Sequence, residues 1–469
     1  MPPSPRIIAW MLKRGRIPPS SMALSVVEPP PLEPAEKFEE PPATAITPCD
    51  PWPRPYFLQD GLRRVAPYHF TYQTWCKERW RGRPLLEIFQ DEFRDRSVEY
   101  YAKSIEEGAI QVNGKPVQSV NTTVKNGDII SHTLHRHEPP VTAEPIRVVF
   151  EDEDLIMISK PAGMPVHPAG RYNYNSVVEI MRAERGHAWN PLPCNRLDRL
   201  TSGIMFIAKH KKAAEAITAQ LTQRTVRKEY VARVRGEFPD EEVICEQPIL
   251  QISPKLGLNR VRANGKEART VFRRIAYYPA LTTDDGKTSR AAYSIVRCMP
   301  LTGRTHQIRV HLQFLGHPIT NDPIYSNARV FGPDLGRGSS TAESDDSIME
   351  RLSRMGKDEV AEAIAYHDGM VADYEKKKAE KMTGEVCEVC GTDLYSDPGA
   401  HELGIYLHAR KYACAEGKWS YETPLPAWAL SPGQVDGSAD GLVLDKGGFE
   451  NDIAKLSVED REAQSAQAV

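Results

Sequence analysis

NRLDRLTSGIMFIAKHKKAA, residues Asn195 to Ala214, places one carboxylate, Asp198, between Arg196 and Arg199, ahead of a Thr-Ser-Gly turn and an apolar run. Nearby positive charge keeps such a carboxylate ionised. On these residues alone a structural Asp–Arg ion pair is the commoner outcome, and a reacting carboxylate is the alternative. GIMFIAK has the composition of a buried strand, and KKAAEAITAQLTQ after it has a helical pattern.

Outward from this stretch, strand signals predominate: IRVVFEDEDLIMISK before it, then KEYVARVRG, TVFRRIAYY and AAYSIVRCMP after it, each rich in Val, Ile, Phe and Tyr. Strands with a few helices between them predict an α+β domain on a mixed, mainly antiparallel central sheet. After Ser326 the chain turns Gly/Ser-rich and then Glu/Lys-rich, without a wide apolar face, and strand-like sequence returns in LGIYLHARKYA. This is the pattern of an insertion inside the domain. Before the domain, two helical segments lead to GAIQVNGKPV and NGDIISH, with Asn113-Gly114 and Asn126-Gly127 as tight turns, a small α+β unit. The expected division is a tail over 1–56, the small unit over 57–140, the main domain over 141–326, a charged insertion over 327–385, a closing part over 386–430 and an acidic disordered tail over 431–469.

The chain has 469 residues and 38 prolines, long enough for more than one domain and for sizeable unstructured stretches such as 29–55. Its net charge of -3 hides a polarity: ten Lys/Arg against three acids between Pro191 and Arg235, seven against one between Lys255 and Arg274. Eight scattered cysteines are unlike a disulfide scaffold. No run approaches the roughly 20 apolar residues of a membrane span. Met1 to Val27 holds Arg6, Lys13, Arg14 and Arg16 and no acid, the bias of a mitochondrial presequence, with a disordered tail as the alternative.

RLDRLTSG resembles the motif HRLDxxTSG of the RluA-type RNA pseudouridine synthases. Four further segments resemble that family in order: DEDLIMISKPAGMPVHP, RKEYVARVRG, GKEARTVFRRI and MPLTGRTHQIRVHLQFLGHPITNDPIYS. The small upstream unit resembles the RNA-binding domain of ribosomal protein S4. The resemblance covers roughly Tyr100 to Trp428 apart from the insertion. It implies the pseudouridine synthase fold preceded by an S4-like domain, and an isomerase that converts uridine to pseudouridine.

That reaction breaks the N-glycosidic bond, rotates the base and joins C5 to C1′, so a carboxylate must approach the nucleoside. The resemblance assigns this to Asp198. Attack on C6, attack on C1′ and abstraction of a sugar proton all remain open. Arg309 is implied as the charge that keeps Asp198 ionised, and Tyr230 as the ring that stacks on a flipped base. Arg196 is implied to fill the vacated place in the RNA. Arg304, Thr305 and His306 shape the loop carrying Arg309, with His306 as a hydrogen-bonder. Arg199, Arg260, Arg262, Arg304 and His306 complete the expected RNA contacts. Asn195 departs from the family's His and marks a subfamily.

No cofactor is expected, since no step needs one. Cys387-x-x-Cys390 is a candidate zinc pair, completed by Cys414 with His408 or His401, against free thiols on a loop. The C-terminal block, with the KERW and GRYNYNSVVE segments, resembles the eukaryotic subgroup that acts on position 32 of tRNA. The zinc motif of the deaminase to which some fungal members are fused is absent here. The expected partner is RNA, specifically tRNA in its anticodon stem-loop, bound by a monomer without a membrane, in the mitochondrion or in the cytoplasm and nucleus. A non-catalytic RNA-binding protein would not need both Asp198 and Arg309, and a methyltransferase would need a Gly-rich nucleotide loop that is not found.

Overall fold

The structure is a computed structural model that describes residues 50–431 apart from 94–97, 118, 254–256, 283–287, 333, 336–344, 354–381, 392 and 400–401. The presequence-like start, residues 333, 336–344 and 354–381 of the insertion and the acidic tail from 432 on lie outside the described residues.

Strand Ser202–Ala208 is buried from Gly203 onward, as its unbroken apolar run requires of a central strand covered on both faces. It pairs antiparallel with Leu155–Lys160 and parallel with Leu407–Cys414. Around it ten strands form one sheet. Across the main path the order is Val243–Cys245, Thr270–Tyr278, Tyr293–Pro300, Val226–Arg235, Leu407–Cys414, Ser202–Ala208, Leu155–Lys160, Arg147–Glu151. The two short strands Leu192–Pro193 and Ser420–Glu422 pair at its side. Every other pairing described in this sheet is antiparallel. The α+β expectation and the mainly antiparallel sheet agree with this. The expected long segment from Ile146 to Lys160 is two strands, because Asp152 turns the chain by accepting the amides of Asp154 and Leu155 through its side chain.

Gly203 shows why the Thr-Ser-Gly turn ends in glycine. Its φ is +116°, and a Cβ there would lie 2.2 Å from the carbonyl oxygen of Ala409 on the neighbouring strand. Only glycine lets the chain rise from the Asp198 loop directly into a parallel pairing.

Helix Lys211–Thr222 covers one side of the sheet with Ala213 and Ile217, against Leu155, Phe206 and Val226. Helix Gln307–Phe314 is buried at every position from Gln307 to Gln313. It carries an arginine into the interior, and that arginine must therefore be paired.

The small upstream unit has helices Leu85–Glu92 and Val98–Glu106 on a four-stranded sheet ordered Tyr68–Trp75, Ile129–Arg136, Ile110–Val112, Lys115–Pro116. Asn113 and Gly114 both have positive φ, 53° and 75°, in the two-residue hairpin turn. Trp80, Leu85, Ile88, Tyr101, Ile105 and Ile110 form its core. Glu138 locks the unit to the main domain: its carboxylate accepts the backbone N–H groups of Asn173 (2.8 Å), Tyr174 (2.9 Å) and Asn175 (3.0 Å).

Two boundaries differ from expectation. Residues 50–55, placed in the tail, belong to the folded body, since Arg54 is buried against Glu179 at 2.7 Å. The insertion is not purely charged at its start. Helices Ala328–Phe331 and Asp345–Ser353 bury Val330, Phe331 and Ile348 against Leu258, Val261, Val310 and Tyr325. A few apolar residues suffice there because the main domain supplies the rest of the cluster.

Candidate active site

Asp198 lies in the loop between strands Leu192–Pro193 and Ser202–Ala208, closed by the Thr201 amide donating to the Asp198 carbonyl at 3.1 Å. Leu197 is buried with Phe206 and Ala409. Burying that one side chain anchors the loop and leaves Arg196 exposed and the Asp198 side chain 32% exposed.

Arg309 enters from the buried helix. Its Nη1 donates to Asp198 Oδ2 at 3.2 Å. Its Nε and Nη2 donate to Asp322 Oδ2 and Oδ1 at 2.6 and 3.0 Å. Asp322 is fully buried and also accepts the amides of Ile324 (2.9 Å) and Tyr325 (3.0 Å). The two-point pair with Asp322 fixes the guanidinium plane, so Arg309 reaches Asp198 with its remaining edge. Asp198 is held by one hydrogen bond and keeps part of its surface open.

The electrostatics agree with that geometry. Burial pushes the Asp198 carboxyl up, but the charges of His306, Arg309 and Lys160, with the Arg309 hydrogen bond, bring it below its ordinary value. Burial first, and Arg309 second, lower His306 to about 4. His306 is therefore neutral near pH 7 and its charge drops out there, which leaves Arg309, with Lys160 behind it, to keep Asp198 ionised. His306 Nδ1 lies 3.0 Å from the Tyr325 hydroxyl, and its Nε2 lies 3.6 Å from Asp198. It is the hydrogen-bonder expected, in a left-handed conformation (φ 58°) at the start of the helix.

Three contributors had no role assigned from the sequence, although each sits inside a segment quoted above. Asp322, in ITNDPIY, is the partner that aims Arg309. Gln307 braces the loop before the helix: its carbonyl accepts from the Thr302 hydroxyl (2.7 Å) and the Arg304 amide (3.0 Å). Its amide donates to Arg269 O and Thr270 Oγ1, both at 2.9 Å. All four of its hydrogen-bonding positions are used. Lys160 is buried and donates to the carbonyls of Pro161 (2.8 Å), Met164 (2.9 Å) and Arg199 (3.1 Å). Burial lowers its pKa to about 7, against the opposing pull of Asp198. Three carbonyls around three N–H groups match an ammonium, which ties the Pro161–Gly163 turn to the Asp198 loop.

Tyr230 stands at a β-bulge opposite strand Leu407–Cys414, with its hydroxyl 2.9 Å from that of Tyr412. Burial pushes its phenol up to about 12, offset by the Tyr412 hydrogen bond and reinforced by the charge of Asp198, so it is neutral. Asn195 completes this wall. Its Oδ1 accepts the Phe206 amide (2.9 Å) and its Nδ2 approaches the Tyr412 hydroxyl (3.4 Å). A cleft of about 360 Å³ is lined by Asn195, Thr218, Arg224, Lys228, Gly303 and Arg304, and Asp198 is not part of its lining. Arg304 Nε is anchored on the Glu267 carbonyl at 2.8 Å, and the Arg199 guanidinium lies 5.6 Å from the centre of the Tyr172 ring.

Arg260 and Arg262 are not where RNA contacts were expected. Arg260 is buried, 2.7 Å from Asp345, and Arg262 bonds the same carboxylate. Their charge secures the insertion's helix. The expected zinc partners also fail. His408 spends one ring nitrogen on the Ser202 hydroxyl and the other on the Thr423 hydroxyl, both at 2.8 Å, and Cys414 is buried at a strand end. His401 lies outside the described residues. Among the described residues, the side chains that gather around Cys387 and Cys390 are His135 and His137.

Residues 154–314 match the family model described as RNA pseudouridylate synthase, and residues 95–130 match the S4 domain. The "tRNA pseudouridine(32) synthase, mitochondrial" of Saccharomyces cerevisiae is 48% identical over 383 residues, 79% of this chain and 78% of that protein. The human "Pseudouridylate synthase RPUSD2" is 41% identical over 431 residues, 81% of this chain and 76% of that protein. A second Saccharomyces cerevisiae protein, "tRNA pseudouridine(31) synthase", is 33% identical over 423 residues, 81% of this chain and 98% of that protein. With an S4 domain ahead of a carboxylate loop aimed by a buried arginine, the chain belongs to the RluA-type RNA pseudouridine synthases, the isomerases that turn uridine in RNA into pseudouridine.

Proposed function

We propose that this enzyme acts on tRNA, at position 32 of the anticodon stem-loop, with Asp198 as the reacting carboxylate. The observation that carries the assignment of Asp198 is its partial exposure beside an arginine that Asp322 already holds at two points. An ionised oxygen is left free to reach a nucleoside. A uridine must leave its stack to reach it. Arg196, exposed next to Asp198, replaces the flipped base in the RNA, and Tyr230 packs on the flipped ring. Arg199, Arg304 and the exposed lysines of helix Lys211–Thr222 receive phosphates. The tRNA and its position rest on the 48% identity to the yeast position-32 enzyme. That relative's mitochondrial name and the acid-free start of the chain support the mitochondrion as the compartment, and the enzyme acts as a monomer.

The test is to map pseudouridines in cells lacking the gene, with mitochondrial and cytosolic tRNAs separated. The expected result is loss at position 32 in the mitochondrial fraction, restored by the wild-type chain and not by Asp198→Asn. An unchanged position 32 in both fractions overturns the substrate. Restoration by Asp198→Asn overturns the catalytic role.

A further inference from the structure

Strands Met382–Val386 and Asp393–Tyr395 pair antiparallel, and Cys387-Glu388-Val389-Cys390-Gly391 lies in the connection between them. Such a hairpin is marginal unless something else holds it. Among the described residues, none of its side chains joins a buried apolar cluster. Val386 and Val389 face solvent, 53% and 65% exposed, while the two cysteines beside them are half-buried. The turn therefore hides its thiols and shows its valines, the reverse of what the hydrophobic effect alone produces.

The thiols face two histidines from the S4-like unit. His135 lies on strand Ile129–Arg136 and His137 is two residues further on, the spacing that puts both rings on one face of an extended chain. Cys387 Sγ lies 3.5 Å from His135 Nδ1, and Cys390 Sγ lies 3.3 Å from His137 Nε2. One ligand atom from each of the four residues falls within 4.8 Å of all the others. A tetrahedral zinc ion with Zn–S near 2.3 Å and Zn–N near 2.0–2.1 Å requires N···S separations of about 3.5 Å. Gly391, with φ +65°, returns its amide to the Cys387 carbonyl at 2.8 Å, closing the turn that presents both sulfurs to one point.

We propose that His135, His137, Cys387 and Cys390 form a structural Zn²⁺ site that fastens the end of the insertion to the S4-like unit. Two thiolates and two neutral imidazoles give a closed, uncharged centre with no position left for substrate, and binding releases the two thiol protons. Soft sulfur with imidazole in tetrahedral array selects Zn²⁺ over Mg²⁺ or Ca²⁺. The Arg64–Asp397 ion pair joins the same two parts of the chain beside it. The metal would thus set the position of the RNA-binding unit relative to the strand Leu407–Cys414 that follows, and would act on RNA affinity rather than on the isomerisation step.

The test uses the full-length chain purified without chelator. Elemental analysis is expected to find about one zinc per chain. Cobalt substitution is expected to give the intense visible bands of a tetrahedral site with sulfur and nitrogen ligands. Cys387→Ser, Cys390→Ser and the double variant His135→Ala/His137→Ala should each lose the metal, while Cys414→Ala keeps it. The metal-free variants should show weaker RNA binding at unchanged single-turnover rate under saturating enzyme. Metal-free wild-type protein that gives no cobalt spectrum, a Cys387–Cys390 disulfide in the reduced-compartment protein, or full zinc content in the double histidine variant would each overturn the site. If the histidine variant fails to fold, the cobalt spectrum of the wild-type chain decides, because a site without nitrogen ligands gives a four-sulfur or open spectrum instead.

Discussion

Two arginine–carboxylate assemblies in this enzyme use the same chemistry for opposite ends. Around Asp345, two arginines converge on one carboxylate, and Arg260 is buried in doing so. Around Arg309, two carboxylates converge on one arginine, and only Asp322 takes it at two points. The first arrangement spends two arginines on one ionised acid and docks a helix. The second holds one acid, Asp198, ionised through a single hydrogen bond, at a side-chain exposure of 32% against 29% for Asp345. An Asp beside an Arg is thus not a catalytic signature. What distinguishes the site is a second, buried carboxylate that fixes the arginine, so that the exposed one need not.

The comparison is broken most severely at Asp198. Asp198→Asn keeps the shape and removes the nucleophilic or basic oxygen, so single-turnover formation of pseudouridine should fall to background while RNA affinity stays near wild type. Asp322→Asn should come next. It leaves Arg309 buried with half its partner gone, which costs about 3–5 kcal/mol of stability, and it lets the guanidinium turn away from Asp198. A misplacement of that kind is worth about a hundredfold in rate. If Asp322→Asn unfolds less than that and reacts normally, Arg309 does not need aiming. Arg196→Ala should bind RNA almost normally and react about tenfold or more slowly, matching the few kcal/mol of unstacking it helps to meet. A fluorescent base analogue beside the target should report less flipping.

The smallest effect on catalysis is expected at the other assembly. Arg260→Ala with Arg262→Ala should lower the melting temperature and expose the 345–353 helix to protease, at a cost of about 1–3 kcal/mol. The salt dependence of RNA binding should be unchanged, since these side chains are committed to Asp345. A flatter salt slope in that double variant would return both arginines to the RNA contacts expected from charge counting alone.

Charge counting failed there for a physical reason. Between Lys255 and Arg274 the arginines largely meet acids folded next to them: Arg269 meets Glu246, Arg273 meets Glu242, and Arg274 meets Glu237 and Asp240. None of those acids lies within the basic stretch, so a window along the chain does not see them. Between Pro191 and Arg235 the charges are more open, with Arg196 exposed and Lys211 almost wholly so. The cysteine pair shows the same limit. The turn Cys387–Cys390 was legible, but its histidine neighbours lie 252 and 253 residues away, on a different domain. The nearer candidates, His408 and Cys414, had already been taken into the central sheet.

By itself the sequence determined the class of fold and the family, and it singled out Asp198 as the carboxylate to test. Each of these is written in contiguous residues: an apolar run of strand length, a Thr-Ser-Gly turn that only glycine can close, and an Asp set among arginines. The tertiary structure alone decided which arginines serve the site and which serve the scaffold, and which partners the Cys387–Cys390 turn meets. Those choices depend on which side chains the sheet order and the domain packing bring within a few ångströms. Asp198 and Arg309 are 111 residues apart and meet only because a loop and a buried helix converge beside the same sheet.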